Sequence, residues 1–257
     1  MGEEMKDMHY IRELLEGGQR ADGRKLDEFR NVELHVNPYD KPEGCAIVSI
    51  GESKVIAGVK MGIGEPFPDR PDEGVLMVNA ELSPLASPDF ETGPPSVESI
   101  ELARVVDRGI RESGTLDLKK LCLIPKEQVW LVCVDIQIIN HDGNLIDAAA
   151  LASIAALHNA RMPEYKDEII NYDKKTVKLP VKAKPVAVTV SKFGQSLLLD
   201  ASLTEEKLVT AAMVVATNEE GHICALQKRG TEGFTEEEIL RIWDIAAKKG
   251  KELRKLL

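Results

Sequence analysis

The order of the apolar runs constrains this chain most: several short β-type runs lead into an amphipathic helix, and the same succession then recurs. Strands followed by helices, twice over, argue for an α+β architecture of two pseudo-repeated β/α halves. In the first half the β-type runs are Cys45 to Ile50, Lys54 to Met61 and Val75 to Leu82. The prolines of Gly62 to Pro71 mark a surface loop, with Gly62-Ile63-Gly64 read as a turn, and Ser83 to Pro95 forms a second loop. A helix over Ser96 to Ser113 follows, with Ile100, Leu102, Val105, Val106 and Ile110 as its buried stripe. Then come a strand over Val129 to Ile139, a turn at Asp142-Gly143 and a very apolar, alanine-rich helix from Leu145 to Arg161, halted by Pro163.

The lysine-rich stretch Glu164 to Lys184 reads as the boundary between the halves. The expected division is an N-terminal helix and arm (1–30), a first domain (31–165), a connecting segment (166–184) and a second domain (185–257). The second domain offers strands at Val186 to Val190, Ser196 to Asp200, Leu208 to Thr217 and Ile223 to Gln227. Its last segment opens on a capping box at Thr235 and carries Ile239, Leu240, Trp243, Ala246, Ala247 and Leu253 at helical spacing.

Bulk properties narrow the function. The 257 residues suffice for substantial cores without staples. Cys45, Cys122, Cys133 and Cys224 sit in apolar runs without a C-x-x-C pair, which points to free thiols in a reducing compartment. No apolar run approaches the length of a membrane span, and the acidic stretch from Met1 to Glu16 is not a signal peptide, so a cytoplasmic protein is expected. With 33 basic and 43 acidic side chains, a net charge of -10, the whole molecule repels a phosphate backbone unless its arginines gather on one face. Aromatics at 4% argue against stacking platforms for single strands.

Several motifs in order carry a resemblance: Arg20-x-Asp22-Gly23-Arg24, the Ser96 helix with Ile100-Glu101-Leu102, the turn at Asp142-Gly143, the hairpin Val190 to Asp200, and Ala225-Leu226-Gln227-Lys228. Together they resemble the ribonuclease PH family over nearly the whole chain, and within it the non-catalytic ring subunits of the archaeal RNA exosome. The resemblance implies a ribosomal protein S5 domain 2-like fold. It also implies a hexameric ring of three heterodimers with a catalytic sister subunit, RNA-binding cap proteins and single-stranded RNA as partners. Active relatives shorten RNA from its 3′ end with inorganic phosphate, using paired arginines, a Gly-Ser/Thr-Arg loop and two aspartates. This chain departs at each place. Val97-Glu98 stands where the arginines belong, Gly143-Asn144-Leu145 lacks the loop cation, and Gly194 replaces one aspartate while Asp200 keeps the other. The backbone amides of the Gly143 loop remain able to hold an anion weakly.

No catalytic residue is therefore expected. Asp200 reads as a turn or capping residue and His141 as exposed and idle, while Cys122, Cys133 and Met77 read as core. His141, Asp142 and His158 lack a third ligand at metal spacing, and neither a metal nor another cofactor is expected. Arg104, Arg108 and Arg111 fall at i, i+4 and i+7 along one side of the Ser96 helix. Like charges one turn apart cost roughly 0.2–0.5 kcal/mol unless an anion lies between them. In the family this helix lends arginines to the RNA path, which makes these three the candidate RNA-binding residues. Two other readings stay open: a self-sufficient exoribonuclease built on Asp200 and His141, and a purely architectural ring subunit.

Overall fold

The computed structural model describes residues 2–257, with side chains from residue 8 onward. A helix α1 (Gly2–Glu16) precedes a sheet formed by β1 (Val32–Val36), β2 (Gly44–Ile50), β3 (Ser53–Gly64), β4 (Val75–Leu82), β5 (Cys122–Ile124) and β6 (Gln128–Asn140). Its order is β1-β2-β3-β6-β4, with β5 beside β6. The pairs are antiparallel except β4 with β6, which run parallel from Val75↔Leu131 to Leu82↔Ile138. A parallel neighbour requires a crossover, and helix α2 (Val97–Glu112) lies in it. Gly62-Ile63-Gly64 is not a turn: it pairs with Leu131, Trp130 and Val129 as the end of β3.

Ser96 caps α2 by accepting from the Ser99 backbone N–H at 3.2 Å. This phase puts Leu102, Ala103, Val106 and Ile110 inside, whereas Ile100, expected in the buried stripe, is 48% exposed. Helix α3 (Leu145–Asn159) is buried at every position from Ile146 to Leu157. It packs on β2 and β3 of the first sheet and on β9 (Val186–Phe193) of the second, so an all-round apolar surface is what its place requires. Pro163 does not halt it. The helix ends at Asn159, and Pro163 lies inside strand β7 (Arg161–Lys166). The corner is tight: a Cβ on Gly44 would come within 2.7 Å of the Ala160 Cα, so only glycine fits there.

The expected linker is itself structured, since β7 and β8 (Ile169–Lys178) form a two-stranded antiparallel sheet. Its lysines misled because β8 is exposed at Asp173, Lys174 and Lys178, while Tyr165 and Ile170 pack on the core. The second four-stranded sheet runs β10 (Ser196–Leu199), β9, β11 (Ala211–Thr217) and β12 (Ile223–Gly230), wholly antiparallel, with a single-turn helix α4 (Leu203–Glu206) after β10. The C-terminal helix α5 (Glu236–Leu253) has the expected capping box between Thr235 and Glu238. Its inner face is Ile242, Ala246, Gly250 and Leu253, packed on β9 and β11. Ile239, Leu240 and Trp243 are turned outward instead, because Ile242 takes the centre of the buried stripe. Among the described residues no helix is long and apolar enough to cross a membrane.

One polar clamp joins α3 to the second sheet. Buried Asp147 accepts from the Thr189 backbone N–H at 3.0 Å, the Thr189 hydroxyl at 2.7 Å and Asn144 Nδ2 at 3.1 Å. Burial outweighs these donors and pushes its carboxyl from 3.8 up to about 7. The unfolded chain therefore ionises Asp147 first, and stability falls as pH rises from about 4 to 7, by at most about 1.4 kcal/mol per unit. In Asp147→Asn, whose amide can accept from Thr189 N–H and donate to its hydroxyl, this decline is expected to vanish. Urea melts of both proteins at pH 4, 5.5 and 7 check it.

Candidate nucleic-acid interface

The three arginines of α2 stand along a groove of about 450 Å³ between that helix and β4, which is the edge strand of the first sheet. Their commitments differ. Arg111 forms a two-point pair with Asp107, at 2.7 and 3.1 Å, and also donates to the Leu76 carbonyl of β4 at 3.1 Å. It ties the helix to the strand. Arg108 is exposed and donates to Gln227 Oε1 of β12 at 2.9 Å. Arg104 is exposed with no side-chain partner among the described residues. Sequence spacing thus brings the three to one groove, and their pairing leaves Arg104 and Arg108 as the accessible cations. Met77, expected in the core, is 38% exposed on the same strand.

Gly194 and Asp200, the two positions that the resemblance sets against a carboxylate pair, are not brought together. Gly194, at φ +55°, sits at the exposed tip of the β9–β10 turn with open space around it. Asp200 lies beyond the other end of β10, a strand of 4 residues that spans roughly 13 Å at 3.3 Å each. The missing carboxylate at Gly194 therefore says less about catalysis than its alignment implies.

Asp200 itself says more. Its side chain is wholly buried, and its carboxylate accepts from the backbone N–H, Nε and Nη2 of Arg30 at 2.8, 2.9 and 2.8 Å. Arg24 Nη1 at 3.0 Å and Asn144 Nδ2 at 2.8 Å complete the shell. Burial opposes the charge, yet the bonds from Arg30 hold this carboxyl below the ordinary aspartate range. The reciprocal contact, working against burial, raises Arg30 above the ordinary arginine value. Below it, Arg20 reaches the Asp200 and Leu199 carbonyls at 2.8 Å each and pairs with buried Glu205. The Arg20-x-Asp22-Gly23-Arg24 motif and Arg30 thus form a structural lock around Asp200. The basic run was visible in the sequence, whereas its buried partner 170 to 180 residues away was not.

The loop at the N-terminus of α3 is also occupied. Gly143 and Asn144 both take positive φ, +84° and +53°, and a Cβ on Gly143 would meet the Ala201 carbonyl at 2.5 Å. The backbone amide of Asn144, which could otherwise hold an anion, donates to Glu206 Oε1 at 2.8 Å. Nearby, His141 is neither exposed nor idle: it stacks on Phe90 at 5.3 Å, and its Nδ1 accepts from the Gly143 N–H at 3.3 Å. Burial lowers its pKa, so it is neutral near pH 7. The cavity in front, about 130 Å³, is walled by Glu98, Glu101 and Glu206 with Arg229, which pairs with Glu101 at 3.1 Å. Among the described residues no group of three ligand-type side chains is placed to hold a metal ion.

Known proteins of this shape agree in family. Exosome complex component Rrp42 of Methanocella arvoryzae is 48% identical over 248 residues, which cover 96% of this chain and 94% of that protein. A chain in the solved structure of the Archaeoglobus fulgidus exosome with RNA bound to the active site superposes with a TM-score of 0.92, at 44% identity over 98% of both chains. A chain of an archaeal exosome core gives a TM-score of 0.88 at 40% identity, over 99% of this chain and 98% of that one. The pattern of the 3′ exoribonuclease family, domain 1, fits residues 28–163, and that of domain 2 fits residues 184–249. With both patterns in order and the α+β ribonuclease PH fold in place, the chain belongs to the ribonuclease PH family of 3′ exoribonucleases.

Proposed function

We propose that this protein is a non-catalytic ring subunit of an archaeal-type RNA exosome, which shapes the active site of a catalytic ribonuclease PH-like sister and adds arginines to its RNA path. The observation that carries the reading is the α3 N-terminus, where the chain's own Glu206 carboxylate already accepts from the Asn144 amide. An incoming phosphate would have to displace that carboxylate and then sit among Glu98, Glu101 and Glu206. Asp200, wrapped by Arg30, Arg24 and Asn144, has no free oxygen to act as acid, base or metal ligand.

The RNA role follows from charge. At a net of -10 the molecule meets a polyanion only where cations cluster and a basic neighbour helps. Arg104 and Arg108 fill that role beside the β4 edge, where a sister subunit can close the groove. Arg111, held by Asp107 and Leu76, positions the helix. The assembly is a hexameric ring of three heterodimers that passes single-stranded RNA from separate cap proteins. The compartment is the cytoplasm.

The purified chain alone is expected to show no phosphate-dependent RNA shortening, and its mixture with the sister subunit to exceed the sister by itself. Activity of the lone chain overturns the reading. In the assembled ring, replacing Arg104 and Arg108 by alanine should weaken RNA binding and flatten its dependence on log salt by about 0.7 for each phosphate no longer neutralised. An unchanged slope assigns those arginines to architecture. Asp200→Asn should destabilise the chain by about 3–5 kcal/mol, because it leaves buried arginines short of their charge partner. A catalytic Asp200 would instead lose activity at unchanged melting temperature.

A further inference from the structure

The outer side of helix α5 carries an apolar patch that the rest of the chain leaves uncovered. Ile242, Ala246, Gly250 and Leu253 turn inward, whereas Ile239, Leu240 and Trp243 are 41, 53 and 44% exposed. Single surface leucines are ordinary, but here three large apolar side chains adjoin, a tryptophan among them. Glu236, Leu240, Trp243, Ala247 and Lys251 fall at i, i+4, i+7, i+11 and i+15, which makes one stripe along the helix. The stripe has an order of charge: acidic at its start, apolar in the middle, basic at its end. Neither Glu236 nor Lys251 has an ion-pair partner among the described residues.

We infer that this stripe is a docking surface for the same stripe of a second copy of the chain, with the two α5 helices antiparallel about a twofold axis between Trp243 and Asp244. That axis sets Glu236 against Lys251 and Leu240 against Ala247 of the second copy, and each contact occurs twice. The small Ala247 leaves room for the larger Leu240 opposite it, as knobs-into-holes packing requires. Trp243 lies at the axis, where a paired helix excludes water best and an aromatic anchor contributes most. A parallel pairing would bring Glu236 onto Glu236 and Lys251 onto Lys251, so charge selects the antiparallel one. In a ring where this chain alternates with a sister, two copies are not neighbours. The contact is therefore additional to the ring and independent of the RNA reading.

Sedimentation equilibrium of the full chain, at concentrations up to about 0.2 mM, tests the pairing. A monomer–dimer equilibrium is expected, and Trp243→Ala should weaken it about thirtyfold or more. Glu236→Lys and Lys251→Glu should each weaken it about tenfold, and the two together should restore it, because the double exchange returns opposite charges to each contact. All three side chains are exposed, so unchanged melting temperatures are expected to confirm that the variants fold. A chain that stays monomeric throughout, a dimer indifferent to Trp243→Ala, or a double variant no better than the single ones would each overturn the inference. A monomeric chain that loses its hold on the sister subunit when Trp243 is replaced would assign the face to the sister and overturn it equally. No readout here involves RNA shortening, so the pairing stands or fails apart from that assay.

Discussion

A single buried carboxylate fixes the relation between parts of this chain that are far apart in sequence. Asp200 receives five bonds, from the arm through Arg24 and Arg30 and from the start of α3 through Asn144. Arg30 extends the network to Asp142 at 2.9 Å, and Arg20 extends it to Glu205. Charges taken out of water are costly unless every lone pair and proton finds a partner, and here nearly all do. Asp200 accordingly serves this chain as a fastening. The arm around 20–30, the α3 N-terminus and the second sheet therefore hold their places together or not at all.

Helix α3 performs the apolar counterpart of that work. Buried between the sheets, it lets the two halves share a core rather than merely touch, and the largest hydrophobic cluster runs through both. Asp147 is the one carboxylate among its buried residues, and it makes that interface sensitive to protonation. The clamp and the fastening meet at Asn144, whose two N–H groups go one to each carboxylate.

Much of this was legible beforehand. The strand limits at Val75 and Leu82, the helix start near Ser96, the capping box at Thr235 and the burial of α3 follow from local patterns that survive folding. The errors share a physical cause. Ile100, Ile239, Leu240 and Trp243 are apolar yet outward, because helical phase is decided by the partner surface and not by hydrophobicity alone. The polar stretch after residue 164 reads as a linker, although its backbone pairs as β7 and β8. Spacing alone put the α2 arginines on one side of the helix, and they line one groove. Their inequality was invisible, since it depends on Leu76 and Gln227 from distant strands. The occupation of the α3 amide by Glu206 depends likewise on a four-residue helix too short to leave a periodic signal.

The depth at which the charges lie divides the molecule's response to its medium. The cations around Asp200 are sheltered, and mobile ions reach them poorly; those at Arg104 and Arg108 stand in solvent, within reach of screening. Concentrated salt should consequently weaken ion pairing at the two exposed arginines long before it disturbs the scaffold. As ionic strength rises, the arrangement around Asp200 would therefore outlast the pull of the outer arginines on passing anions.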